Sequence, residues 1–305
     1  MQWVRDYTPQ PSRNQLYTRA LIITLAGNVL LAGSKGIVAY ISGSAAIYAD
    51  AANSISDVLY SLLMVLGLYM AQRPPDLSHP QGHARFEPLV GLAVAMSMTY
   101  AGFEAARNAI ERLTAGGLAV EPGLPSLVLL GSALIKLVMF LLIRKIAKEV
   151  QSPTLTVTAT DNLSDVLTSV AAFVGVMGSQ ISHLLDPIAG LVVAAWIFRN
   201  AFNAAKENIH YLTGGGADDD LRERIVQKAA SVPGVAKVHH MMTEYVGAKL
   251  AVDMHINCDG NISLNEAHSI SDRVIAAVES LPEIDRAYVH IEPNGWEDSE
   301  NTPAG

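Results

Sequence analysis

The chain has 305 residues, half of them hydrophobic and only 16% charged, with a mean hydropathy of +0.27. That is too apolar for an ordinary soluble protein and points to a membrane protein. A formal charge of −8 argues against a nucleic-acid binder, which carries a basic face, and the single cysteine, Cys258, excludes an internal disulfide or a thiolate metal cluster.

Residues 1–19 lack an apolar core and a small-residue cleavage site, so no signal peptide is expected there. About 20 predominantly apolar residues are enough to cross a bilayer. Six such spans are predicted, at 16–41, 44–71, 88–112, 124–147, 156–182 and 186–208. Arg5, Arg13 and Arg19 stand at or before the first span, Arg73 and Arg85 between the second and third, and Arg144, Lys145 and Lys148 between the fourth and fifth. The opposite loops are poor in cations apart from Arg112, so both termini are expected to be cytoplasmic.

After the last span Gly214-Gly-Gly216 and Asp218 to Asp220 read as a linker entering a helix. Leu250, Val252, Met254, Ile256 and Cys258 alternate with polar residues, as in a half-buried strand. Residues 238–244 are its predicted hairpin partner and 287–292 a third strand. Helices are predicted at about 218–231 and 264–281, the latter opened by a capping box of Ser263 and Glu266. The fold class is therefore a six-helix α-helical membrane part, residues 1–208, joined to a small α+β domain of order αββαβ, residues 209–294. The acidic residues 295–305 are expected to be a disordered tail.

The second span contains Asp50, Asn53 and Asp57, and the fifth Asp161 and Asp165. Charged side chains at mid-bilayer cost on the order of 2.5–3.5 kcal/mol each, so this set needs a partner. Lys35 and Lys136, basic residues well inside spans, are too few and lie in helices without these carboxylates. Asn53 and Asp57 share one helix face, as do Asp161 and Asp165, each pair about 6 Å apart along the axis. Two such faces opposed would offer four oxygen ligands to a divalent cation. The alternative is a set of polar contacts between helices, which weighs most for Asp50, nearer the loop. Asn53-Ser-Ile-Ser-Asp57-Val-Leu-Tyr-Ser61 aligns without gaps to Asp161-Asn-Leu-Ser-Asp165-Val-Leu-Thr-Ser169. Internal similarity of this kind marks transporters with a midplane substrate site.

Two further clusters lie outside the spans. Asp76, His79 and His83 fall within eight positions of a Pro- and Gly-punctuated loop, a set that binds metal or is simply solvated. The tail holds His239, His240, His255, His268, His290 and Glu292. His290 and Glu292 share one strand face, which His255 joins from a neighbouring strand. The imidazole–carboxylate set suits zinc and similar ions, with a solvated histidine-rich sheet face as the alternative.

Together these residues resemble the cation diffusion facilitator family over nearly the whole chain. The marks are Gly43-Ser44, the paired four-residue spacings, His79-Pro-Gln-Gly-His83-Ala-Arg-Phe-Glu-Pro88, and Asn265-Glu-Ala-His268-Ser. The resemblance implies a homodimeric, non-enzymatic exporter of divalent metal in a bacterial plasma membrane, surrounded by lipid and driven by inward proton movement. It implies transport at Asn53, Asp57, Asp161 and Asp165, a loop site at Asp76, His79 and His83, and a regulatory tail site of His239, His255, His268, His290 and Glu292. His240 stands where the family often has a carboxylate. Arg85 stands where a basic residue ties the membrane half to the tail, while glycine replaces its acidic partner near 214. Zinc-transporting members usually have histidine among the four intramembrane positions, and this chain has none. An all-oxygen set favours harder ions such as Mn²⁺, although the intrinsic affinity order keeps Zn²⁺, Fe²⁺, Co²⁺ and Cd²⁺ open. A passive cation channel would account for the carboxylates but not for the metal-binding tail. A membrane hydrolase would need a nucleophile or an open metal site beside a base, and the histidines lie outside the spans.

Overall fold

A computed structural model describes residue 4 and residues 11–42, 45–114, 124–178 and 184–295. The chain divides into two compact units, Met1–Ile209 and His210–Gly305. The first contains six long helices: α1 (Pro11–Ser42), α2 (Ala45–Ala71), α3 (Phe86–Thr114), α4 (Leu124–Val150), α5 (Pro153–Gly178) and α6 (Leu185–Leu212), which runs into the second unit. Each predicted span falls on one of them, and residues 44 and 179–182 lie outside the described residues, as does the tail from 296 onward. Among the described residues, Pro11–Val38, Phe86–Thr114 and Pro187–Leu212 are long and apolar enough to cross a membrane.

The α4–α5 connection is only two residues long, and its chemistry is local. Gln151 adopts a left-handed φ of 51°, and the Ser152 N–H donates to Ala147 O at 3.1 Å, closing α4 as a Schellman turn. Ser152 Oγ then accepts from Leu155 N at 3.1 Å, with Pro153 at the first helical position.

Within this unit Tyr17, Leu31, Met64, Leu68, Ile143 and Leu155 make one buried cluster, drawn from α1, α2, α4 and α5. Val94, Met98, Val157 and Ala201 make another, from α3, α5 and α6. Small residues set close approach, since a Cβ on Gly91 would overlap the Asn208 amide and one on Gly67 would overlap Val90. Meanwhile Ile22, Leu30, Leu59, Leu63, Met96, Tyr100, Val192 and Phe202 point outward, the inverse of a water-facing surface. A buried polar pin crosses the packing. The Glu87 carboxylate accepts from Tyr17 Oη at 3.0 and 3.1 Å and from Ser152 Oγ, and Glu87 O accepts from Thr154 Oγ1 at 2.5 Å. One residue of α3 thereby ties α1 to the start of α5.

The second unit contains α7 (Asp219–Ala230), β1 (Lys237–Val246), β2 (Lys249–Cys258), α8 (Leu264–Glu279) and β3 (Ile284–Pro293), in the expected αββαβ order. Asp218 caps α7 through Leu221 N and Ser263 caps α8 through Glu266 N. The sheet order is β1-β2-β3, with β1 antiparallel and β3 parallel to central β2. The alternating face of β2 packs under Leu221 and Ile225 of α7 and under Ile270, Val274 and Val278 of α8. Every second β2 residue is thereby left on the face away from the helices.

Candidate metal centres

In the membrane-type unit, α2 and α5 bring Asp57 and Asp165 to the same ammonium. Lys136 Nζ of α4 lies 3.1 Å from Asp57 Oδ2 and 2.7 Å from Asp165 Oδ2. The Lys136 side chain is only 7% exposed, while the two carboxylates remain about a third open, at 30% and 33%. Asp161, one turn before Asp165, also acts on Lys136 electrostatically. Ser61, the last residue of the α2 copy of the repeat, donates to Asp57 O at 2.7 Å and accepts from Asn28 Nδ2 of α1 at 2.7 Å, fixing that stretch of α2. The side chains of Asp50 and Asn53 lie outside the described residues.

Lys136 is the main departure from expectation. Its own helix carries none of these carboxylates, but α4 packs beside α5 and the side chain reaches across to Asp165. A cation in the apolar stretch of α4, two turns before Arg144, Lys145 and Lys148 at its end, is itself a signal, since an intramembrane charge requires a counter-charge. Glu87 was the second omission, visible in the sequence only as part of the loop motif.

The loop centre is built from a turn. Asp76 Oδ1 accepts from Ser78 N at 2.9 Å and His79 N at 2.7 Å, and Gly82, at φ 91°, donates from N to His79 O at 2.9 Å. This folds His79 and His83 onto Asp76, with Nδ1 of His79 3.6 Å from Oδ1, Nε2 of His83 3.5 Å from Oδ2, and the rings 4.4 Å apart. His83 Nδ1 faces Pro74 O at 3.1 Å; donating there leaves Nε2 as a lone pair turned to Asp76. The backbone donors of His79 and Ser78 hold the Asp76 carboxyl below the usual carboxylate range, which favours its anionic, metal-ligating form. One ligand atom from each of the three lies within 4.8 Å of the others.

The tail centre occupies the β-face away from the helices. Parallel register sets His255 beside His290 and Asn257 beside Glu292. A bulge between Val238 and His240 inserts His239 as an extra residue and turns it to the same face. His239 Nε2 and His255 Nδ1 lie 3.0 and 3.2 Å from the Glu292 carboxylate, which is 5% exposed, and the three form a second ligand group within 4.8 Å. His290, 63% exposed, reaches Glu292 at 3.5 Å, and the His240 ring lies 4.9 Å from that of His255. His268 is apart from them: it sits on α8, 76% exposed, 3.6 Å from Asp272.

Residues 21–213 match the cation efflux transmembrane domain, and residues 217–294 match the cytoplasmic domain of cation efflux proteins. An uncharacterized transporter of Methanocaldococcus jannaschii is 34% identical over 279 residues, covering 90% of this chain and 97% of its own. The manganese efflux system protein MneS of Bacillus subtilis is 27% identical over 274 residues, 89% of this chain and 94% of its own. A solved MamM CTD structure is 34% identical and covers 25% of this chain and 93% of its own, with a TM-score of 0.24.

Proposed function

We propose that this chain, which belongs to the cation diffusion facilitator family of divalent-metal efflux transporters, exports manganese in exchange for protons. The transport site is formed by Asn53, Asp57, Asp161 and Asp165, with Asp50 at its edge. The observation that carries this reading is the meeting of Asp57 from α2 and Asp165 from α5, the two helices of the internal repeat, around one cation position. An oxygen-only donor set supports Mn²⁺ as cargo, and so does the likeness to a manganese efflux protein. Metal and protons compete for the same carboxylate oxygens, which couples their fluxes without a separate proton path.

Residues 1–208 are the transport part, crossing a plasma membrane with both termini cytoplasmic, and residues 209–294 dimerise the protein and sense metal. His239, His255 and Glu292 form the sensing centre, with His290 and His240 at its rim and His268 on a separate surface. Asp76, His79 and His83 form a further cytoplasmic site. The test is uptake of Mn²⁺, Zn²⁺, Fe²⁺, Co²⁺ and Cd²⁺ into inverted vesicles. Manganese should enter fastest, and collapse of the pH gradient should stop it. Uptake that survives the collapse would identify a passive channel, and preference for another ion would reassign the cargo.

A further inference from the structure

We infer that Lys136 is a resident counter-cation of the transport site, holding Asp57 and Asp165 when no metal is bound and giving way when a divalent cation arrives. The inference rests on the transport-site reading above. Its ground is that Nζ occupies the place between two carboxylate oxygens contributed by different helices, at 3.1 and 2.7 Å, on a buried side chain. A metal joined to both oxygens would need that same place, at about 2.0–2.6 Å from each. An ammonium has three donors and no lone pair, so it competes with the ion and cannot join its coordination.

The charges around the site fit exchange. Asp57 and Asp165 contact Lys136, Asp161 acts on it electrostatically, and Lys35 of α1 acts on Asp57. Removing the metal from such a set would strand several carboxylates in a medium where isolated charge is costly. Lys136 neutralises part of that charge in the empty carrier. Its flexible four-carbon stem, anchored on α4, lets the head swing aside while remaining tethered nearby at high effective concentration. The tether therefore weakens metal binding and assists release, which an exporter needs after each crossing.

The test uses the full-length protein and Mn²⁺ alone as the probe, counting by calorimetry only the binding component that Asp161→Ala removes. Lys136→Met and Lys136→Gln should lower the Kd of that component about tenfold, the scale expected for removing one nearby charge. The KM and the maximal rate in proteoliposomes should both fall. Lys136→Arg, which keeps the charge, should stay closer to wild type in Kd. A purely structural lysine would lower the rate without tightening binding. An unchanged or raised Kd in the neutral variants overturns the inference while leaving the transport site in place. If Asp161→Ala removes no Mn²⁺-binding component, or if the component it removes survives Asp57→Ala or Asp165→Ala, the site itself is overturned, and the inference with it. A structure of the Mn²⁺-loaded wild type is independent of how the variants fold: Nζ should have left Asp57 and Asp165, and an ammonium still bridging them refutes displacement.

Discussion

Asp57 and Asp165 face inward from apolar helices and share one ammonium, so neither is replaceable by a small neutral residue without a change in the site's charge. Asp57→Ala, Asp161→Ala and Asp165→Ala should each abolish transport while leaving a folded dimer, because helix packing tolerates small side chains. Vesicle uptake with size-exclusion chromatography checks both halves of that statement; wild-type uptake in any variant removes that residue from the site. Asn53→His should move preference from manganese toward zinc, since it supplies the imidazole nitrogen the site lacks. Competition between the two ions measures the shift, and unchanged relative rates would locate selectivity elsewhere. At this scale the four-residue spacings were legible because a helix puts i and i+4 on one face. The partner of Asp57 and Asp165 was not, because spacing within a helix says nothing about which helix stands next to it.

The elements were read well where one face is apolar. The five β2 residues predicted to alternate inward do form the floor of the tail core, and Ser263 caps α8 as expected. Alternation fails at β1, because a uniform period of two puts His239 and His240 on opposite faces, whereas the bulge turns both toward His255. His239, aimed at Glu292, should therefore matter more than His240. Metal titration of the full chain should show His239→Ala losing roughly tenfold or more in tail-site affinity and His240→Ala losing less; the reverse order would mean the bulge does not define the centre. The Glu87 pin makes a second demand on the elements. Glu87→Ala strands the hydroxyls of Tyr17 and Ser152 and should cost on the order of 1–3 kcal/mol. Thermal unfolding in detergent should register this as a lower midpoint, and an unchanged midpoint would make the pin dispensable.

For the whole molecule, the division into a helical unit and an α+β unit followed from hydropathy and from the glycine-rich, acidic stretch after 213, features that do not depend on tertiary contacts. Metal held by the tails of a dimer favours the assembled state by mass action. His290→Ala, at the exposed rim of the tail centre, should weaken activation at low metal while leaving the maximal rate nearly intact, as read from uptake against metal concentration. Complete loss of transport would make the tail part of the transport path itself. The two-residue turn at Gln151 and Ser152 bears on how such a molecule works. Helices joined with so little slack cannot slide lengthwise past each other, so the backbones at Lys136 and Asp165 keep their level along the α4–α5 pair. Asp57 stands on α2, which that turn does not join, so of the two Lys136 contacts the one at 3.1 Å is the one that any movement of α2 against the α4–α5 pair would break and remake.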